Sequence, residues 1–320
     1  MQKDNLWAKL GPGLLFAGAA IGLSHTVQST RAGAVYGLGL LVVVLLANIA
    51  KYPAFRFGPH FAAVTGMSLV ECYARQGKWI AVVLGLALFA TQSAIVAAVG
   101  ITTAGIANAA FGLNIPGIPS AIALIILTFV LIYTGGYRIA ERITKFCVVL
   151  VTIATLISTI LILPQVPWSL WPEAAPAFDA VAFMFVVALV GLMPAGMDLS
   201  IMHSLWIKAR ARAGESVNLA DITLDFDIGY MGTVIMALCF LLMGAGLLFA
   251  QGIAPENSAT AFGGQVVGLY SSALGPFVGA IVGVALFMVI FSTMLLLNIR
   301  GSNIRLKNIG ITGRTLILLT

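Results

Sequence analysis

Val187 to Trp206 reads VALVGLMPAGMDLSIMHSLW. Both ends of this stretch are apolar enough for a membrane-spanning helix, and its middle is not. Met193-Pro194-Ala195-Gly196-Met197-Asp198 puts a proline, which has no backbone N–H, and a glycine, which weakens a helix, inside the span. The hydrogen-bond ladder is expected to break there. The carboxylate of Asp198 follows at bilayer depth, where ionisable groups are costly and by default functional. A broken helix carrying an acid near the midplane is one way in which secondary transporters build a substrate site. The alternative is a proline-kinked helix whose acid is hydrogen-bonded to a neighbour.

The rest of the chain has the composition that such a helix needs. Of 320 residues, 60% are hydrophobic and 9% charged, and the mean hydropathy is +1.06. Soluble domains carry about 25% charged residues, so this is an all-α polytopic membrane protein whose first partner is the lipid bilayer. The net charge of +6 does not indicate nucleic acid, because the basic residues sit in short segments between apolar runs and read as topology signals. Cys72, Cys147 and Cys239 are scattered in or beside apolar segments, so they read as core residues and not as a disulfide framework. No Ser-His-Asp set, HExxH helix, phosphate-binding loop or haem-ligand pair stands at credible spacing, so neither an enzyme nor a cofactor is expected. The N-terminus, MQKDNLWAKLGPG, has no cleavable signal pattern, and its first apolar run is read as a first span.

A spanning helix needs about 20 apolar residues. Eight candidates are found, at 10–31, 33–51, 78–105, 118–136, 146–164, 180–207, 228–250 and 272–298. With a cytoplasmic N-terminus, the inside segments hold Lys3 and Lys9; Lys51, Arg56, Arg75 and Lys78; Arg138, Arg142 and Lys145; Lys208, Arg210 and Arg212; and Arg300, Arg305, Lys307 and Arg314. Only Arg31 of the 17 basic residues falls outside. The outer loops carry Glu173, Asp179 and Glu256, with Trp168 and Trp171 as interface anchors. This bias supports both the count and the orientation, in an inner cell membrane.

The first helix is expected to be interrupted too, at Gly22-Leu23-Ser24-His25-Thr26, after the small residues Gly18, Ala19 and Ala20. The first and sixth helices then share one layout and lie five helices apart. An odd number of helices per unit inverts the second unit, and paired interrupted helices in inverted repeats point to a transporter site. The other segments carry less information. Glu71 sits in an amphipathic lead-in to the third helix, and Arg138 and Glu141 are spaced for a helical salt bridge. Asp221, Asp225 and Asp227 precede the seventh helix, where a capping role comes first and a gate second. The ending, LLLNIRGSNIRLKNIGITGRTLILLT, offers no further span, although a five-plus-five repeat calls for two more helices. The expected layout is one transmembrane domain over 1–320. It comprises a first repeat at 10–164, an incomplete second repeat at 180–298 and an atypical cytoplasmic tail at 299–320.

These residues resemble the Nramp family of divalent-metal transporters. The resemblance runs from Gly11 to about Met294 and rests on GPG at 11–13, RAGAVYGLGLLVVVLLANI from Arg31 and GMSLVE at 66–71. It rests also on GGYRIAE at 135–141, the HSLW that closes the sixth helix and DFDIGYMGT at 225–233. It implies a LeuT-like inverted-repeat fold and alternating-access transport of a divalent metal, possibly coupled to protons. The departures are as informative. Where the family has Asp-Pro-Gly-Asn, this chain has Gly22-Leu23-Ser24-His25, so Gly22 replaces the metal-binding aspartate. The family's Met-Pro-His keeps Met193-Pro194 but continues with Ala195, and the spacing to His203-Ser204 is three residues longer. The third helix has Gln92 where the family often has acids.

The candidate substrate-binding residues are Gly22, Ser24, His25, Gln28, Met193, Ala195, Met197 and Asp198, with His203 as a proton relay. A metal would take the His25 nitrogen, the Asp198 carboxylate and the Met193 thioether, a set better suited to first-row transition metals than to magnesium or calcium. Manganese or iron are examples, and with the family's aspartate replaced the substrate need not be either. Each has a plainer alternative: a hydrogen-bonded core histidine for His25, core packing for Met193 and Met197, a vestibule lining for His203. A carrier of another cation or small solute, and a truncated inactive transporter, stay open beside the metal transporter. Neither an obligate protein partner nor a nucleic acid is expected.

Overall fold

The computed structural model describes residues 11–134, 137–169, 176, 178–212 and 217–298. Within them the chain is helical. It runs through α1 (Pro12–Ala20), a π-helical stretch Ile21–Ser29, α2 (Thr30–Tyr36), α3 (Leu41–Thr65), α4 (Leu69–Gln76) and α5 (Lys78–Phe111). There follow α6 (Gly117–Thr134), α7 (Tyr137–Ile162), α8 (Ala180–Leu192), α9 (Asp198–Arg212), α10 (Leu219–Leu247), α11 (Ala259–Leu274) and α12 (Pro276–Asn298). Among the described residues, five helices are long and apolar enough to cross a membrane alone: those at Leu41–Thr65, Trp79–Phe111, Phe146–Gln165, Leu219–Gln251 and Pro276–Met294. Large apolar side chains such as Leu86 and Phe89 on α5 and Val181 and Met184 on α8 face outward, as a lipid-facing surface requires. Trp171, Glu173, the side chains of Arg138 and Glu141, and residues 299–320 lie outside the described residues.

The centre of the fold is the pairing of the first helix with α10, which run parallel. Their backbones nearly touch. A Cβ on Gly33 would lie 1.9 Å from the Leu241 carbonyl oxygen, and one on Gly244 would lie 2.1 Å from that of Thr30. Near the other end, a Cβ on Gly229 would lie 2.4 Å from the Gly13 carbonyl oxygen. Small residues let spanning helices approach this closely, and van der Waals contact then holds them.

Several expectations are corrected here. The first helix does not unwind at Gly22–Thr26; it widens into a π-helix and continues to Tyr36, so Arg31 belongs to it. Ser and Thr hydroxyls in that stretch bond back to the preceding turn, which bends a helix without opening it. The second span does not end at residue 51. It runs to Thr65 through Pro53 and Pro59, so Lys51 and Arg56 are inside a spanning helix and are not loop charges. A helix at 259–274, expected as loop, packs against α5 and α12 and buries Phe262, Val266 and Tyr270. Asp225 and Asp227 lie within α10 and not before it, and Asn218 caps that helix by accepting from Ala220 N at 3.0 Å. Asp225 instead caps another helix: its buried carboxylate accepts from Gly11 N at 3.1 Å and Gly13 N at 2.8 Å, at the start of α1. The tyrosine at 52 donates to Asp227 at 2.7 Å.

The lead-in helix α4 is built as its sequence implies. Ser68 accepts from Glu71 N and donates its own N–H to Glu71 Oε2, a reciprocal capping box. Glu71 also pairs with Lys208 in α9, and Leu69 N donates to Ser204 Oγ at 3.1 Å, so α4 is fastened to the second half of the sixth helix. Burial would raise the Glu71 pKa, but the hydrogen bonds from Lys208 and Ser68 outweigh it, and the group lies below its ordinary value.

Two outcomes follow. Replacing Asp225 by Ala leaves buried N–H groups without acceptors and should lower stability by about 1–3 kcal/mol, read as a lower melting temperature in detergent, with Asp225→Asn between the two. The Glu71 pair stabilises above the ordinary glutamate pKa of about 4.3, and its contribution fades as pH falls through the lower folded value. Glu71→Gln should therefore melt below the parent at pH 7, with the gap closing in acid; a gap that persists in acid would contradict the assignment.

Candidate functional site

Helix α8 stops because residue 194 is a proline. The Val190 carbonyl would be bonded by the N–H of residue 194, which Pro194 lacks. Met193 to Met197 leave the helix, and α9 restarts at Asp198, with Leu199 N bonding Gly196 O at 3.0 Å and Ser200 N bonding Met197 O at 3.2 Å. Across from this break lies the π-helical stretch of the first helix, whose wider turn is often associated with function.

The two segments touch directly. Ser24 Oγ is 3.0 Å from the Pro194 carbonyl oxygen and 2.9 Å from His25 Nδ1, and it also reaches the Ala20 carbonyl. One hydroxyl proton serves one carbonyl at a time, so Ser24 joins the first helix to the break only by leaving its own turn. Ser29 Oγ donates to the Met193 sulfur at 3.6 Å. The π-helical part of the first helix and the break of the sixth therefore meet through Ser24, Ser29, Met193 and Pro194, all of them buried.

The remaining candidates have separate surroundings. His25 is fully buried, with Nδ1 2.7 Å from the Ala20 carbonyl. A carbonyl requires a donor, so a proton on Nδ1 serves the Ala20 carbonyl. Nε2 makes no hydrogen bond of ordinary geometry, and the ring is held against the Thr233 backbone of α10. Gln28 Oε1 and both amide atoms of Gln92 are also buried without hydrogen-bond partners. Ala195 is buried, whereas Met197 is half exposed and points away. Asp198 is partly buried and folds over Gly196, where a Cβ would meet Asp198 Oδ1 at 2.5 Å and Ile95 of α5 at 3.8 Å. His203 is buried among Phe16, Phe226 and Trp206, with ring centroids 5.7, 5.8 and 6.0 Å away, and neither nitrogen has a hydrogen-bond partner. Among the described residues, no three His, Cys, Asp or Glu side chains converge as metal ligands.

Gly22 has a specific environment. A Cβ there would stand 2.8 Å from Thr293 Oγ1 on α12, whose hydroxyl lies 3.2 Å from the Val289 carbonyl and 3.5 Å from that of Gly18. The space beside Gly22 is filled by a neutral hydroxyl. Thr293, Ser29 and Lys51 were not reached by sequence reasoning. Ser29 sits one π-turn beyond the polar cluster, and Lys51 was masked by Pro53, which reads as a helix end. No local signal marks Thr293.

Three comparisons bear on this geometry. The family model for Nramp, natural resistance-associated macrophage protein-like, matches residues 13–305. An uncharacterized protein of Pasteurella multocida is 33% identical over 295 residues, covering 90% of this chain and 67% of that protein. Crystal structures of an Eremococcus coleocola manganese transporter share the fold. A histidine-to-alanine mutant superposes with a TM-score of 0.61 at 18% identity, over 100% of this chain and 70% of that one. A glutamate-to-glutamine mutant gives 0.59 at 17% identity, over the same shares. The fold is the LeuT-like one of these transporters.

Gly22→Ala should drive its methyl group into Thr293 and cost about 1–3 kcal/mol by overpacking. Adding Thr293→Ala removes the obstructing hydroxyl and should restore most of the loss in a thermal-unfolding double-mutant cycle. Penalties that simply add would show that the two residues do not meet.

Proposed function

The chain belongs to the Nramp family, whose members are membrane transporters and not enzymes, and from that premise we propose that it carries a divalent metal cation across the membrane by alternating access. The observation that carries this reading is the meeting of the π-widened stretch Ile21–Ser29 with the broken segment Met193–Met197, across the Ser24–Pro194 contact. Manganese is the cargo named for the structurally similar transporters.

On this reading the ion loses its water between the two segments. His25 Nε2 supplies a borderline nitrogen, Met193 a thioether and Asp198 the compensating charge. Ser24, Gln28 and the backbone carbonyls of Gly22 and Ala195 supply neutral oxygens. That mixture suits first-row transition metals better than magnesium or calcium. His203, or His25, exchanges a proton as the ion passes, imidazole being the side chain that titrates nearest neutral pH. The N-terminus faces the cytoplasm from an inner cell membrane. Residues 10–164 form the first repeat and 180–298 the second. Rocking of one repeat against the other opens the site to each side in turn.

A second reading, a carrier of another cation or a small solute on the same fold, is favoured by one observation. The place beside Gly22 is occupied by Thr293, and no acid of the first helix is available to a metal. Uptake in proteoliposomes separates the two. With a pH gradient imposed, the parent protein should accumulate manganese, and Asp198→Ala should reduce the rate to background while remaining monodisperse. Uptake by Asp198→Ala at the parental rate would remove Asp198 from the site. Absence of manganese uptake by the parent, with uptake of another solute, would favour the second reading.

A further inference from the structure

Lys51 lies within α3, the second spanning helix, and its ammonium crosses to the sixth. Nζ donates to the carbonyl of Val190 and, at 2.9 Å, to that of Gly191. These are the carbonyls that the break deprives of donors. The donor for Val190 would be residue 194, a proline; the donor for Gly191 would be residue 195, which has left the helix. Val190 retains only a long bond of 3.4 Å from Met193 N. The last carbonyls of a helix also carry its negative dipole end, where a cation is favoured. Among the described residues no carboxylate pairs with Lys51, so this helix end is its counter-pole. A lysine inside a span is costly, and one placed so is functional by default.

We propose that Lys51 is a positioning residue, a tethered cation that latches the outer arm of the broken sixth helix and so fixes where Met193 and the Pro194 carbonyl stand. The opposite side of the break is held by neutral groups, Ser24 on Pro194 and Ser29 on Met193. Among the described residues the latch is thus the one charged attachment of the last turn of this arm, and it comes from a helix outside the pair that meets at the break. Its role in transport rests on the reading given under Proposed function; the latch itself does not.

The test is arranged accordingly, without cargo. In the full-length protein purified in detergent, Cys72 and Cys239 are replaced by Ser, a reporter thiol is placed by Ala195→Cys, and native Cys147, buried on α7, is kept as the control. The rate of maleimide labelling at each thiol is read by peptide mass. Lys51→Met should raise labelling at the reporter by about tenfold or more, the loss of a charged hydrogen bond, with Cys147 unchanged. Lys51→Arg should keep the parental rate, and Lys51→Gln should label like Lys51→Met. An unchanged reporter rate, equal acceleration of Cys147, or full rescue by Gln would each overturn the proposal. The first denies the latch, the second makes the effect general loosening, and the third makes the charge irrelevant. Manganese uptake by the same variants is then scored separately. If the parent moves no manganese, the functional reading fails while the labelling result stands.

Discussion

A proline in the middle of a spanning helix removes a donor where water cannot replace it, and much of the structure near the site answers that deficit. Each carbonyl left bare in hydrocarbon carries a penalty of several kcal/mol. Around Pro194 the missing donors come from other helices. Lys51 of α3 serves Val190 and Gly191, and Ser24 of the first helix reaches the Pro194 carbonyl. The break therefore dictates neighbours. The second helix must pass close to the end of α8, and the first must bring a hydroxyl to the far side. A sixth helix without Pro194 would need neither.

The first helix can meet that demand because it is held at both ends. Asp225 and the Gly13–Gly229 approach fix its beginning against α10, and the Gly33–Gly244 approach fixes its far part. Ile21–Ser29 lies between these anchors. Unwinding there would shift one anchor relative to the other and open contacts that only glycine permits. A π-turn enlarges the helix locally while keeping it continuous. It also leaves side chains to bond the preceding turn, as His25 does at the Ala20 carbonyl. The first and sixth helices differ in form for this reason. α8 is attached to its surroundings at its end, whereas the first helix is clamped along its length.

The break in the sixth helix was legible from Met193-Pro194-Ala195-Gly196 because proline and glycine act through their own backbone. So was the Ser68–Glu71 capping box, a relation three residues long. The features that were not legible depend on partners distant in sequence. Asp225 reads as a cap for its own helix, yet it accepts from Gly11 and Gly13, more than two hundred residues away. Lys51 reads as a loop charge because Pro53 follows it, although a helix in lipid tolerates proline when neighbours satisfy its backbone. The helix at 259–274 reads as loop because Ser, Gly and Thr dilute it; packing against α5 and α12 supplies what its own composition does not. The close pass of Thr293 over Gly22 belongs to the packing of two helices and has no local sign.

What a cargo would find at this place follows from the polar atoms left over. Buried polar groups normally have partners, and exceptions call for a reason. Here His25 Nε2, Gln28 Oε1 and the Gln92 amide have none. On the proposed reading they would offer a ring nitrogen, a carbonyl oxygen and a group able to give or accept. Beside Gly22 the space is taken by the Thr293 hydroxyl, and on the proposed reading attraction by charge would fall on Asp198 at the start of α9. Selectivity on such terms comes from ligand softness and fit more than from charge. An ion that accepts nitrogen and thioether regains what it loses in water, whereas one that demands a shell of oxygens does not.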